Sequence, residues 1–86
     1  MPTPRQKTIR DRAYRVVVES LRLARRNASL TQVELALKLR ADQSYVSKYE
    51  RGQRRLDVIE VRSICGALGL DFVEFVREIE RDLKKI

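Results

Sequence analysis

The chain has 86 residues, 19 basic and 12 acidic side chains, a net charge of +7, one cysteine and no histidine. This is the length of one domain; a lone Cys65 forms no internal disulfide framework, and the lack of histidine argues against a zinc site. No run of 18 apolar residues occurs, and Met1 to Ile9 holds no apolar stretch, so neither a membrane span nor a signal peptide is expected, and the reducing cytoplasm is the expected compartment.

The charge is unevenly placed. Residues 1–26 carry eight basic and two acidic side chains, residues 27–55 six and three, and residues 56–86 five and seven. A positive field over the first two thirds suits a nucleic-acid partner, and it equally suits a solubilising surface with no partner.

In chain order, residues 1–8, MPTPRQKT, hold both prolines and read as a flexible basic arm ahead of a single domain over 9–86. The arm is expected either to reach along a DNA backbone or minor groove, or to be disordered. A first helix is predicted over about 9–27, with Tyr14, Val17, Leu21 and Ala24 as its buried stripe. Thr31 with Glu34 is a capping box, stapled by Leu30 and Leu35, and starts a helix over about 32–40. Asp42 is a plain cap for a helix over 43–51, whose first turn has no acidic side chain and so presents a bare positive dipole end. Asp57 with Glu60 and Asp71 with Glu74 repeat the capping box and start helices over about 58–68 and 72–85. Gly52 and Gly69 close the helices before them, where a positive φ is required. The expected architecture is all-α, with five helices in one compact domain.

Two short helices joined by a tight turn form the unit that places its second helix in the major groove of DNA. On the second of them, Val46 and Tyr49 face the core, while Gln43, Ser44, Ser47, Lys48 and Arg51 project away. Glutamine pairs with adenine and lysine with guanine, while serine and tyrosine hydroxyls suit phosphates. The basic loop Gln53-Arg54-Arg55 follows and is suited to gripping the backbone.

The stretch LTQVELALKLRADQSYVSKYERG, and above all Gln43 to Gly52, resembles the phage repressor/Cro-type helix-turn-helix, the xenobiotic-response-element (XRE) family. The resemblance covers about residues 18–76. It implies a lambda-repressor-like fold and sequence-specific binding of double-stranded DNA by a transcriptional regulator. Gln32 is then expected to bond a phosphate and brace Gln43. Gln43, Ser44 and Lys48 are expected to meet base edges, and Tyr45, Ser47 and Arg51 the backbone or flanking bases. Arg25 and Glu50 stand where the family places an ion pair between its first and third helices. The sequence departs from the family at Ser29 and Arg40, which stand where glycine is usual. Either the turns differ there or the fold absorbs the strain.

Phe72, Val76, Ile79, Leu83 and Ile86 are spaced 4, 3, 4 and 3 apart, a heptad seam. Phe72 and Val76 are expected on the core. Ile79, Leu83 and Ile86, in a last helix over 71–86, are expected to pair with a second copy, against the alternative that the helix folds back on the first one. Val33 and Leu37 form either an exposed patch or an extension of the core. No catalytic, metal-binding or cofactor-binding constellation is read from the sequence, and no small-molecule ligand is expected. An antitoxin-like module that mainly binds a protein partner is the alternative function, carried by Val33, Leu37 and the C-terminal seam.

Overall fold

The computed structural model describes residues 4–86, with side chains from Arg10 onward. It holds five helices: α1 (Pro4–Asn27), α2 (Gln32–Leu39), α3 (Gln43–Glu50), α4 (Val58–Ala67) and α5 (Phe72–Leu83). No strand occurs among the described residues.

The first helix starts at Pro4, not near Ile9, so most of the expected flexible arm is helical. Proline is well placed in a first turn, where its missing N–H and fixed φ cost nothing, and no breaker lies between Arg5 and Thr8. Met1 to Thr3, the rest of that expected arm, lie outside the described residues.

The Thr31–Glu34 and Asp57–Glu60 capping boxes form in both directions. The third is half made: Asp71 accepts from the Glu74 N–H, but Arg77 holds the Glu74 carboxylate at 2.6 Å. Asp42 has the extended backbone of a cap but no capping bond from its side chain, so the expected Asp42 cap is absent.

Four helices close alike. The residue after the turn reaches back five positions, as in Leu30 N to Arg25 O (3.2 Å), Ala41 N to Ala36 O (2.9 Å), Gln53 N to Lys48 O (2.8 Å) and Leu70 N to Cys65 O (2.9 Å). The residue before it takes a left-handed φ: 59° at Ser29, 55° at Arg40, 74° at Gly52 and 75° at Gly69. The fold therefore keeps the usual turn at Ser29 and Arg40 and absorbs a strain of about 1–2 kcal/mol at each.

The core joins Val18 and Leu21 of α1, Leu35 and Ala36 of α2, Val46 and Tyr49 of α3, Ile64 and Cys65 of α4 with Leu68 just after it, and Phe75 and Ile79 of α5. Helix α5 lies back along α1. Ile79 is 7% exposed and Leu83 packs against the core, so the seam expected to face a second copy is used within the chain. Of the three expected interface residues only Ile86 stays exposed. Val76, expected on the core, is exposed and Phe75 is buried in its place. The helical period of 3.6 carries the buried face through Phe72, Phe75, Ile79 and Leu83, which turns Val76 outward although it fits a heptad spacing.

Candidate nucleic-acid interface

Helices α2 and α3 pack tightly across the short turn Arg40-Ala41-Asp42. Leu35, Ala36, Val46 and Tyr49 seal their shared inner face, which fixes the direction of α3. Gln43, Ser44 and Lys48 are exposed on its outer face, with Ser47 half-buried beside them.

A chain of hydrogen bonds runs from the exposed tip of α3 into the domain. Gln43 Nε2 donates to Gln32 Oε1 at 2.8 Å, and Gln32 Nε2 donates to Glu50 Oε1 at 2.9 Å. Arg25 meets Glu50 with two bonds, Nε to Oε2 at 2.7 Å and Nη2 to Oε1 at 3.0 Å. Its Nη1 donates to the Leu30 carbonyl at 2.8 Å. The Glu50 side chain is 3% exposed, and its hydrogen bond to Arg25 raises the guanidinium pKa against the opposing effect of burial. The Arg25–Glu50 pair thus lies where the resemblance implies it, and Gln32 braces Gln43. Each glutamine is the first residue of its helix, and the packing of α2 on α3 brings the two side chains within hydrogen-bond distance.

Tyr45 is drawn inward. Its hydroxyl donates to Glu60 Oε2 at 2.9 Å, its ring meets Tyr49 edge-on with centroids 5.6 Å apart, and the Arg54 guanidinium lies 4.7 Å over it. Burial, and then the bond to Glu60, push its pKa up to about 12. Tyr49 is fully buried and its hydroxyl has no partner; burial raises its pKa too.

The arginines expected on the backbone each make a bond within the chain and keep other donors exposed. Arg54 Nη1 bonds Glu60 Oε2 at 2.7 Å, and Arg55 Nη2 meets Asp11 Oδ1 at 3.3 Å, with both arginine side chains still exposed. Arg51 Nε donates to the Ser47 carbonyl at 3.3 Å. Sequence reasoning missed two members of this network. The capping-box spacing marks Glu60 only as a capping residue, yet it also anchors Tyr45 and Arg54. The helical spacing marks Tyr14 only as core, yet its hydroxyl accepts from Leu56 N–H at 2.9 Å and donates to the Arg54 carbonyl at 3.1 Å. A tyrosine, not a phenylalanine, on a buried stripe was the available signal, since a buried hydroxyl seeks a partner.

Val33 and Leu37 are exposed on α2, Leu37 at 72%, so they form a surface patch and do not extend the core. No group of side chains that could hold a metal ion, and no helix long and apolar enough to cross a membrane, occurs among the described residues.

The helix-turn-helix family model matches residues 21–75. The fold is similar to that of an XRE-family like protein from Pseudomonas syringae pv. tomato. The two share 39% identity and a TM-score of 0.85, over 92% of this chain and 96% of that one. A comparison with curated proteins found no match.

Proposed function

Since the chain belongs to the XRE family of helix-turn-helix DNA-binding transcription regulators, we propose that it binds double-stranded DNA sequence-specifically, as a homodimer on a palindromic operator. Helix α3 enters the major groove. Gln43, Ser44 and Lys48 read base edges, and Ser47 and Arg51 meet the backbone. Gln32 offers its second amide proton to a phosphate, and Arg54 and Arg55 grip the backbone from the loop.

The observation that carries this reading is the bonded chain Gln43–Gln32–Glu50–Arg25. It fixes an exposed amide at the tip of a helix before any partner arrives, and preorganisation of this kind lowers the ordering cost of binding. Tyr45 acts within the chain, holding Arg54 and the loop in place.

The dimer follows from economy of contact. One short helix offers few base contacts, and two copies double them across half-sites about 34 Å apart. With Ile79 and Leu83 inside the domain, the two-fold contact lies on other surfaces. A second reading, an antitoxin-like module that binds a protein partner, is favoured by the exposed pair Val33 and Leu37.

Selection of the purified chain against a random-sequence duplex library, followed by sequencing, tests the proposal. A recovered palindrome with half-sites one turn apart is expected. Recovery of no motif overturns specific readout and leaves the partner-binding reading.

A further inference from the structure

Tyr14 fastens the loop after α3 to the first half of α1. Besides its bonds to Leu56 and Arg54, its ring carries the Arg55 guanidinium at 4.4 Å. Helix and loop wall a cleft of about 510 Å³.

Three arginines from three elements line it: Arg15 of α1, Arg51 at the end of α3 and Arg55 of the loop. Three carboxylates line it too, and each already holds another group. Glu50 is bonded to Arg25 and Gln32, and Glu19 to Arg22 at 2.9 Å. Asp11 meets Arg55 at 3.3 Å, with both side chains more than half exposed. Arg15 and Arg51 form no ion pair among the described residues. Two guanidinium groups therefore share one cleft without a carboxylate of their own. Arg51 Nε also donates to the Ser47 carbonyl at 3.3 Å, which leaves its two Nη groups. Guanidinium groups without an ion pair favour an anion beside them, and their planar donors fit phosphate oxygens.

We propose that this cleft seats a backbone phosphodiester of duplex DNA, beyond the base pairs read by α3, with Arg15 and Arg51 as its ligands. The inference rests on the DNA-binding reading above. Duplex DNA is favoured over a free anion because one wall of the cleft, Glu50-Arg51-Gly52, continues directly from α3. A duplex held against that helix runs its backbone past this point.

The test is a salt series of binding by the purified full chain to a fluorescent random-sequence duplex. Arg15→Gln is expected to weaken binding several-fold and flatten the slope of log K against log salt by about one. Arg51→Gln is expected to do the same. Arg77→Gln, on α5 and paired with Glu74, is expected to keep the wild-type slope. Base preference in a library selection is expected to survive Arg15→Gln. An Arg15→Gln slope equal to that of a wild type that does bind overturns the cleft alone and leaves α3 readout standing. A wild type without salt-dependent affinity for duplex overturns the DNA-binding reading and the cleft together. If millimolar inorganic phosphate raises the melting temperature of the wild type but not of Arg15→Gln, while their DNA slopes agree, the cleft takes free phosphate and the duplex assignment fails.

Discussion

Gln43 gives one amide proton to Gln32 across the helix-turn-helix, Nε2 to Oε1 at 2.8 Å. What remains on Gln43 is one N–H and one carbonyl oxygen, the pair that adenine N7 and N6 require in the major groove. Gln43→Ala is therefore expected to lose about 1–3 kcal/mol on the preferred duplex and to relax selection at one base pair. Gln32→Leu leaves Gln43 present but unbraced and also removes the bond to Glu50 and the proposed phosphate contact, so it is expected to relax the same position and to weaken binding on every duplex. Library selection with each variant checks both. Base preference unchanged by Gln43→Ala would place another residue at that base.

Arg25 and Glu50 tie α1 to α3 inside the domain, and only 3% of the Glu50 side chain reaches solvent. Arg25→Met is expected to destabilise the fold by about 3–5 kcal/mol, because a carboxylate is left buried without its partner. The double variant Arg25→Met/Glu50→Gln is expected to recover much of that loss, since neither charge then needs compensation. Urea denaturation of the three proteins measures the difference. A double variant as unstable as the single one would mean that packing of the arginine stem, and not the stranded charge, dominates.

How much of this was legible in the sequence depends on how local each interaction is. Thr31 with Glu34 and Asp57 with Glu60 close within one turn, so residue spacing alone located α2 and α4. The Asp71 box is only half made because Arg77, three residues beyond Glu74, competes for the same carboxylate. The heptad spacing of Ile79 and Leu83 revealed an apolar face but not what covers it, and α1 covers it. The bracing of Gln43 by Gln32 and the Arg25–Glu50 pair were reachable only through family resemblance. The bonds of Tyr14 to Arg54 and Leu56 span 40 and 42 residues and leave no local pattern to read.

Tyr49 presents the opposite case from Arg25, a buried polar atom with nothing to bond. Its ring fills the centre of the core, and its hydroxyl is sealed from solvent without a partner. An unsatisfied buried hydroxyl costs about 1–3 kcal/mol. Tyr49→Phe keeps the ring and removes that cost, so it is expected to raise stability by about 1 kcal/mol. A higher urea midpoint with an unchanged slope is the expected result. A lower midpoint would show that the hydroxyl is satisfied in solution, by water or by a shifted neighbour.

Glu60 gathers an α-helix cap, a tyrosine and an arginine on one carboxylate. The backbone bond of Asp57, the Tyr45 hydroxyl and Arg54 together hold its pKa below the ordinary 4.5. A carboxyl whose folded pKa is depressed favours the fold while it is charged. Its contribution is therefore fully present above pH 4.5 and is lost as the pH falls below that through the folded value. Glu60→Gln keeps the shape and removes the titration. Its melting temperature is expected to lie below that of the wild type at neutral pH and to converge with it in acid. The variant also frees Tyr45 and Arg54 from their shared anchor, so the loop it loosens is the one that carries Arg55. Melting curves of both proteins across the acid range decide the point. A gap between them that stays constant with pH would mean that Glu60 titrates alike in the folded and unfolded chain, and that its bonds to Tyr45 and Arg54 do not favour its charged form.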